Sequence, residues 1–257
     1  MAAIRSAAGA LLAFLMLAAG AVAQTAPCQP APQSAWEVEH ERLLHTDWAE
    51  LGRYHQADAK VMAPAPGERR IVFMGDSITE GWRGTAKPEG PEMGAFFAGR
   101  PYLNRGISGQ TTPQMLVRFR QDVIALQPKA VVLLAGTNDI AGNTGEVTLE
   151  TIEDNVSTMA ELARAHHIRV VLVSVLPAAE YGWRPGRQPA PKILELNRWL
   201  RDYAAANGHL YVDLHTAMST PEGGMRRELS EDGVHPNHEG YALMERLLRP
   251  MLERAVR

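Results

Sequence analysis

Residues 71–77 are Ile-Val-Phe-Met-Gly-Asp-Ser, a continuous apolar run that ends in a glycine and two polar residues. Similar short apolar runs recur along the chain, at residues 130–135, 170–175 and 210–213, with a weaker one near residues 102–104. Longer amphipathic stretches separate these runs. Continuous apolar strands that alternate with helices are typical of a parallel sheet covered on both faces. The pattern predicts a three-layer α/β/α sandwich of about five parallel strands.

Helices are predicted between and after the strands, at residues 112–126, 149–167, 191–207 and 239–256. One more helix is expected ahead of the sheet, over residues 36–61, where apolar residues recur at helical spacing. Two prolines, Pro64 and Pro66, follow this segment and mark its end. We expect the N-terminal helix to lie against the main domain.

The first 23 residues have the organisation of a secretory signal peptide. Arg5 gives a positive start, residues 10–19 are an apolar run, and residues 21–23 are Ala-Val-Ala, a small-x-small cleavage site. The apolar run falls well short of the ~20 residues of a spanning helix, so we expect no stable membrane anchor. Pro27 precedes Cys28, whereas a lipoprotein signal requires a small residue there. The protein is therefore expected to be periplasmic or secreted.

Beyond the signal peptide the chain is divided at residue 68. Residues 24–68 are predicted to form a flexible leader, rich in Pro, Ala and Gln, followed by the N-terminal helix. Residues 69–257 are predicted to form one domain. Cys28 is the only cysteine of the chain, which excludes an intrachain disulfide and a metal site of cysteine type.

Composition and charge exclude some classes of partner. The formal net charge is −3, and no cluster of Lys and Arg interleaved with aromatic residues is present. Nucleic acid is therefore not expected as a partner. The sequence also lacks a Gly-x-Ser-x-Gly elbow, a phosphate-binding loop and a dinucleotide fingerprint. The adjacent pair His166 and His167 does not have the spacing of metal ligands.

Polar residues follow three of the predicted strands. Ser77 comes after the first strand, Gly109 after the segment near residue 102, and Asn138 after the strand at residues 130–135. Ligands of open parallel sheets bind outside the carboxyl ends of the strands. The start of the last helix, which follows residues 232–237, could return to the same edge. These segments are therefore predicted to form one site.

Ser77 is the best candidate for a nucleophile. Gly75 allows a tight turn before it, and a serine at a helix N-terminus lies where free backbone N–H groups favour negative charge. A serine hydroxyl is a weak nucleophile and needs a base. The tripeptide alone leaves a second interpretation open, in which Ser77 is only the N-cap of its helix.

His235 is the best candidate for that base. Asp232 precedes it by three residues, so its carboxylate can reach the ring from the same turn and stabilise the imidazolium. The two residues alone fit an ordinary loop before a helix equally well. His215, which follows Asp213, is a rival base, although a structural role is expected for it.

Two residues could donate to an oxyanion. Asn138 offers a side-chain N–H and Gly109 a backbone N–H that no side chain obstructs. Both residue types are common in loops, so each alone is weak support. Asp76 and Asp139 lie in the same loops and are expected to be structural caps.

Taken together, four motifs resemble the sequence blocks of the SGNH hydrolases, also called the GDSL lipase/esterase family. They are Gly75-Asp76-Ser77-Ile78, Asn104-x-Gly106-x-x-Gly109, Gly136-Thr137-Asn138-Asp139 and Asp232-x-x-His235-Pro236. The resemblance covers residues 69–256. Residues 75–82 and 106–112 are most similar to the branch that includes platelet-activating-factor acetylhydrolase subunits and bacterial carbohydrate acetylesterases.

The resemblance implies a flavodoxin-like fold, no cofactor or metal, and ester hydrolysis through an acyl-enzyme. It implies a catalytic triad of Ser77, Asp232 and His235, and an oxyanion hole formed by Ser77, Gly109 and Asn138. Ile78 replaces the leucine of the GDSL motif, and a side chain that points to the core does not affect the chemistry.

The expected substrate is a small ester with a short acyl group, acetyl above all, on a saccharide or similar alcohol. A lysophospholipase or longer-chain esterase is an alternative, and Trp82, Phe96 and Phe97 could line its apolar groove. A catalytically silent binding domain is an alternative of another class. The sequence leaves the oligomeric state undetermined.

Overall fold

The core of the fold is a sheet of parallel strands. In chain order they are β1 (Ile71–Gly75), β2 (Tyr102–Gly106), β3 (Ala130–Leu134), β4 (Arg169–Val173) and β5 (Leu210–Val212). Among the described residues they form one five-stranded sheet in the order β2-β1-β3-β4-β5, with every neighbouring pair parallel. The prediction of about five parallel strands is confirmed.

The computed structural model describes residues 35–82 and 97–257. The predicted signal peptide, Cys28 and the first part of the leader lie outside the described residues, as does Phe96. The helices are α1 (Ala35–Thr46), α2 (His55–Asp58), α3 (Ser77–Glu80), α4 (Thr112–Asp122), α5 (Thr137–Ala141), α6 (Leu149–Ala165), α7 (Pro189–Asn207), α8 (His215–Met218) and α9 (His238–Ala255).

Helices cover both faces of the sheet. One face packs against α4, α6 and α7, whose buried residues include Phe119, Val156 and Leu196. The opposite face packs against α3, α8 and α9, with Leu248 among the residues in that second core. The central strands β1 and β3 are buried on both sides, which explains their continuous apolar sequence. The predicted three-layer α/β/α architecture is confirmed.

The strand register aligns the carboxyl ends of β1, β2 and β3. Gly75 pairs with Gly106 on one side and with Leu134 on the other. A Cβ atom on Gly106 would lie 2.1 Å from the backbone nitrogen of Glu80, so a glycine is required for α3 to pack this closely on β2. The loops that follow these strands therefore begin side by side.

The predicted N-terminal helix is interrupted, which corrects the sequence-based boundary. α1 ends at Thr46, and the carboxylate of Asp47 then accepts hydrogen bonds from the backbone N–H groups of Leu51 and Gly52. Glu50 adopts a left-handed φ of 52°, which a continuous helix does not allow. A short helix, α2, follows this turn.

The segment over residues 47–62 contacts the sheet domain through the side chains of Tyr54 and Asp58, which bond with β2, and through backbone carbonyl groups. Gln110 Nε2 donates to Ala49 O at 2.9 Å, Gln114 Nε2 to Trp48 O at 2.6 Å, and Gln121 Nε2 to Leu51 O at 2.7 Å. The segment therefore lies against the domain near the loop that carries Gly109. Within the described residues, no helix combines the length and apolar character needed to cross a membrane.

Candidate active site

Ser77, His235 and Asp232 form one hydrogen-bonded chain. Ser77 Oγ lies 2.9 Å from His235 Nε2, and His235 Nδ1 lies 2.6 Å from Asp232 Oδ2. Ser77 is the first residue of α3, whereas the other two lie in the loop before α9. The structure thus brings together three residues that are up to 158 positions apart in sequence.

The position of Ser77 depends on the tight turn between β1 and α3. A Cβ atom on Gly75 would lie 2.1 Å from Thr79 Oγ1 and 2.8 Å from Leu134 O, so the turn requires a glycine. Asp76 is the N-cap of α3, and its carboxylate accepts a hydrogen bond from the backbone N–H of Ile78 at 2.9 Å. Since Asp76 caps the helix, the Ser77 hydroxyl is left to bond with His235.

Hydrogen bonds from its own turn hold the carboxylate of Asp232 in place. Its Oδ1 atom accepts hydrogen bonds from the backbone N–H groups of Val234 and His235, at 2.9 and 2.7 Å, and from Ser230 Oγ at 3.1 Å. Partial burial opposes ionisation of the carboxyl group, but the hydrogen bonds from the His235 ring and these amides outweigh it and lower the pKa of Asp232 to about 2. Asp232 is therefore ionised at neutral pH.

The loop that carries Asp232 and His235 is fixed by α9. Asn237 caps this helix by accepting a hydrogen bond from the backbone N–H of Gly240 at 3.0 Å. Tyr241, one turn further along, donates its hydroxyl to Ile78 O at 2.8 Å and so ties α9 to α3. The helices that carry the base and the nucleophile are therefore in direct contact.

Gly109 and Asn138 lie close together at the same edge of the sheet. Asn138 Nδ2 donates to Gln110 O at 3.0 Å, which leaves the second N–H of this amide for another acceptor. Gly109 has a φ of 79°, a conformation that favours glycine. Neither Ser77 nor Gly109 finds an acceptor for its backbone N–H among the described residues. The three residues predicted as oxyanion donors thus retain free N–H groups.

Sequence reasoning missed two residues next to the site. Asn143 Nδ2 donates to Gly109 O at 3.1 Å and to Asn138 Oδ1 at 2.9 Å, and Trp183 Nε1 donates to Asn143 Oδ1 at 3.0 Å. The Trp183 ring lies 6.0 Å from the His235 ring, centroid to centroid. The only sequence signals were an asparagine five residues after Asn138 and a tryptophan in a loop rich in Gly and Pro.

Three other histidines, His166, His167 and His215, occupy structural positions. His215 begins α8, is 7% exposed, and donates its backbone N–H to Ser174 Oγ at 2.8 Å. Burial lowers the pKa of the His215 ring. His166 and His167 follow the end of α6, as expected for histidines that interact with a helix C-terminus. Among the described residues, the side-chain hydrogen bond of Ser77 is with His235 and not with His215.

Two buried acids support the loops of the site. The Asp139 carboxylate accepts hydrogen bonds from the backbone N–H of Thr112 at 3.0 Å and from its hydroxyl at 2.6 Å, which links α5 to the start of α4. Burial raises the pKa of Asp139 to about 6 and that of Asp76 to about 7. Asp76 caps its own helix, as the sequence suggested, whereas Asp139 lies inside α5 and bonds with the first residue of α4. Over residues 35–82 and 97–257, no group of three His, Cys, Asp or Glu residues could hold a metal ion.

A cavity of about 430 Å³ opens beside Asp232 and His235. Polar side chains contribute to its wall, namely Glu231, Asn237 and His238. By contrast, Trp82 and Phe97 are 1% and 3% exposed and pack with Phe73 in an aromatic cluster. These two rings belong to the core and do not line an open groove.

The comparison with known families decides the class of the protein. The model of the GDSL-like lipase/acylhydrolase family matches residues 73–243, more than half of the 257-residue chain. The chain belongs to this family. The predicted resemblance to the GDSL lipase/esterase family is confirmed, and so is the prediction of a carboxylic ester hydrolase as the class of enzyme.

Individual similar proteins show how far the similarity extends. The crystal structure of a GDSL-like lipase from Bacteroides thetaiotaomicron is 44% identical, with a TM-score of 0.76, over 81% of this chain and 100% of that chain. An acetylxylan esterase of Geobacillus stearothermophilus is 34% identical over 91 residues, 28% of this chain and 40% of that protein. The uncharacterized lipoprotein YqeF of Bacillus subtilis is 32% identical over 124 residues, 44% of this chain and 51% of that protein. The chain thus spans about half the length, or less, of these two curated relatives.

Proposed function

We propose that the protein is an exported serine esterase that removes short acyl groups, acetyl above all, from a saccharide or a similar small alcohol. The observation that carries this proposal is the chain of hydrogen bonds from Ser77 Oγ through His235 to Asp232, at 2.9 and 2.6 Å. A hydroxyl within hydrogen-bond reach of a base that a carboxylate orients is the arrangement of a serine nucleophile.

In the proposed reaction, Ser77 Oγ attacks the ester carbonyl carbon while His235 Nε2 takes the hydroxyl proton. The ionised Asp232 accepts the Nδ1–H of the ring and stabilises the imidazolium. The carbonyl oxygen becomes an oxyanion, for which Ser77, Gly109 and Asn138 supply N–H donors. Collapse of the tetrahedral intermediate breaks the ester bond, and His235 returns the proton to the leaving alcohol.

The resulting acyl-enzyme is hydrolysed by the same groups. His235 Nε2 takes a proton from water, which attacks the acyl carbon of the ester on Ser77 Oγ. The second tetrahedral intermediate releases the carboxylic acid, and the proton returns to Ser77. No cofactor is needed in this scheme.

Hydrogen-bonding side chains beside His235 support a saccharide as the alcohol. The cavity beside His235 is lined in part by Glu231 and His238, whose polar atoms can bond with hydroxyl groups. Trp183 is 39% exposed, and its indole N–H is already bonded to Asn143, so the part left to solvent is ring surface. Such a ring suits the C–H face of a sugar. The similarity to an acetylxylan esterase supports the same class of substrate.

The short acyl preference rests on the loop over residues 177–188, which carries polar and charged side chains, and on the burial of Trp82 and Phe97. A long acyl groove would add about 0.8 kcal/mol of binding per buried methylene. The specificity constant should therefore fall from p-nitrophenyl acetate through butyrate and octanoate to palmitate under non-micellar conditions. A maximum at octanoate or beyond would favour the lysophospholipase alternative.

The triad is tested by Ser77→Ala and His235→Ala with p-nitrophenyl acetate as substrate. Each variant should lose nearly all activity, and the double variant should be little worse than either, because groups that act as one unit are not additive. Losses that multiply would contradict the triad. No turnover above the uncatalysed background by either wild type or Ser77→Ala would favour the silent binding domain.

The oxyanion hole is tested by Asn138→Ala. Loss of one side-chain donor should lower kcat by about two to three orders of magnitude and leave KM nearly unchanged. A raised KM at unchanged kcat would make Asn138 a substrate-binding residue.

Export is proposed from the organisation of residues 1–23. Expression of the full chain in a bacterial host, followed by mass spectrometry of the mature N-terminus, should find cleavage after Ala23. An uncleaved chain in the cytoplasm would contradict this part of the proposal.

A further inference from the structure

Asn143 bridges the two loops that carry the proposed oxyanion donors. Its Nδ2 atom donates to Gly109 O at 3.1 Å and to Asn138 Oδ1 at 2.9 Å. The mechanism proposed above gives Asn143 no role. We infer that Asn143 is a positioning residue that aligns Gly109 and Asn138 for the oxyanion, and that Trp183 fixes its orientation. This inference rests on the proposed function.

The side-chain amide of Asn143 uses all of its polar atoms in this bridge. The two N–H bonds of Nδ2 serve the two acceptors, and Oδ1 accepts the indole N–H of Trp183 at 3.0 Å. Its backbone N–H also donates to Asn138 O at 3.0 Å. An aspartate at this position would place carboxylate oxygens against Gly109 O and Asn138 Oδ1, which are both acceptors. The site therefore requires an amide of this length.

The bridge determines which way the Asn138 amide faces. Asn138 Oδ1 accepts from Asn143, while its Nδ2 donates to Gln110 O. If the amide turned over, a donor would face Asn143 Nδ2 and an acceptor would face Gln110 O. With both ends held, the second N–H of Asn138 keeps one direction. Oxyanion stabilisation depends on donors that are oriented before the reaction.

Gly109 needs an external restraint because glycine has the greatest backbone freedom. It adopts a φ of 79°, and its backbone N–H is free of acceptors among the described residues. The hydrogen bond from Asn143 to Gly109 O holds the peptide group that follows this residue. Restricting that peptide also restricts where the free N–H of Gly109 points.

Trp183 bonds with Asn143 and also lies beside His235. The indole ring lies 6.0 Å from the His235 ring and 4.9 Å from the Tyr181 ring, centroid to centroid. A second contact joins the same two loops, because Arg187 Nη1 donates to a carboxylate oxygen of Glu146 at 2.9 Å. The loop over residues 181–187 therefore holds the loop of Asn143 at two points.

The first test measures kcat and KM of Asn143→Ala and Asn143→Asp with p-nitrophenyl acetate. We expect kcat to fall about 10- to 100-fold with KM changed less than twofold, because the donors are misplaced but not removed. Asn143→Asp should be at least as slow as Asn143→Ala. Phenylboronic acid, which forms a tetrahedral adduct with an active-site serine, should lose affinity in parallel with kcat.

Asn197→Ala is the matched control. Asn197 is a buried asparagine whose amide bonds with both backbone groups of Val175, so its loss also removes hydrogen bonds from the core. The kcat of Asn197→Ala per folded molecule, with the folded fraction taken from a thermal melt, should equal that of wild type. A kcat for Asn143→Ala within twofold of wild type, or a loss that appears in KM alone, would overturn the inference.

The second test is a double-mutant cycle with Trp183→Phe, which keeps an aromatic ring and removes the N–H. Trp183→Phe should lower kcat several-fold in the wild-type background and have no further effect in Asn143→Ala. Equal effects in both backgrounds would show that Trp183 does not act through Asn143. Where wild type is active and Ser77→Ala is not, an unchanged kcat in Asn143→Ala or equal effects of Trp183→Phe in both backgrounds overturn this inference alone. A wild type without Ser77-dependent turnover overturns the proposed function as well.

Discussion

The Asp76 carboxylate accepts the backbone N–H of Ile78 at 2.9 Å and so caps the helix that begins with the proposed nucleophile. The second oxygen of this carboxylate finds no hydrogen-bond partner among the described residues, and the side chain is fully buried. Burial accordingly raises the pKa of Asp76 from its ordinary value of 3.8 to about 7. The acid next to Ser77 therefore changes its protonation close to neutral pH.

Asp76→Asn should change how stability depends on pH. In wild type the folded state holds the Asp76 proton up to a pH of about 7, while the unfolded state releases it near 3.8. This group therefore contributes stability below the unfolded pKa, and the contribution is lost as the pH rises through the folded pKa. Asparagine keeps the cap oxygen and cannot ionise. The difference in Tm, variant minus wild type, should be several degrees more positive at pH 8 than at pH 5. A difference that does not change with pH would contradict the buried, protonated acid.

Asp232→Asn should lower kcat by about three to four orders of magnitude, because the amide N–H₂ would face His235 Nδ1 and favour the wrong tautomer. The low pKa of Asp232, about 2, keeps it ionised throughout the usual assay range. No acid limb from Asp232 should therefore appear above pH 4 in the wild-type rate profile. A variant with near-normal kcat would remove Asp232 from the proposed triad.

His215→Ala should lower stability more than catalysis, because the His215 side chain is buried and the replacement removes its packing. Burial lowers the pKa of its ring, so the stability that the neutral ring contributes is present above the unfolded pKa and is lost as the pH falls through the folded pKa. The Tm deficit of the variant should be larger at pH 8 than at pH 5, with kcat per folded molecule unchanged. Lost turnover at an unaltered Tm would make His215 the base instead of His235.

Trp183→Ala should raise KM for an acetylated xylooligosaccharide at least fivefold, whereas Trp183→Phe should keep KM close to wild type. The exposed ring, not its N–H, is proposed to contact the sugar. With p-nitrophenyl acetate, which has no sugar ring, both variants should show nearly unchanged KM. Equal KM values for the oligosaccharide in wild type and Trp183→Ala would exclude this contact.

The strands could be predicted from sequence because each is a local apolar run between polar loops, as at residues 71–75 and 130–134. The site residues Ser77, Gly109 and Asn138 could be predicted as well, because each lies in the loop that directly follows one of these strands. Asn143 could not, since its contact with Trp183 joins positions 40 residues apart and each residue type is ordinary in a loop. The break after Thr46 was also missed, because the side chain of Asp47 ends a helix whose apolar spacing continues.

The N-terminal segment meets the domain through the main-chain carbonyl groups of Trp48, Ala49 and Leu51, each facing a glutamine side chain. A carbonyl group is present whatever the side chain, so single replacements at these three positions leave the acceptors in place. Insertion or deletion of one residue between them has a different effect, since it moves the acceptors out of line with Gln110, Gln114 and Gln121 together. The tolerance at these three positions is therefore to changes of residue type, and not to changes of length.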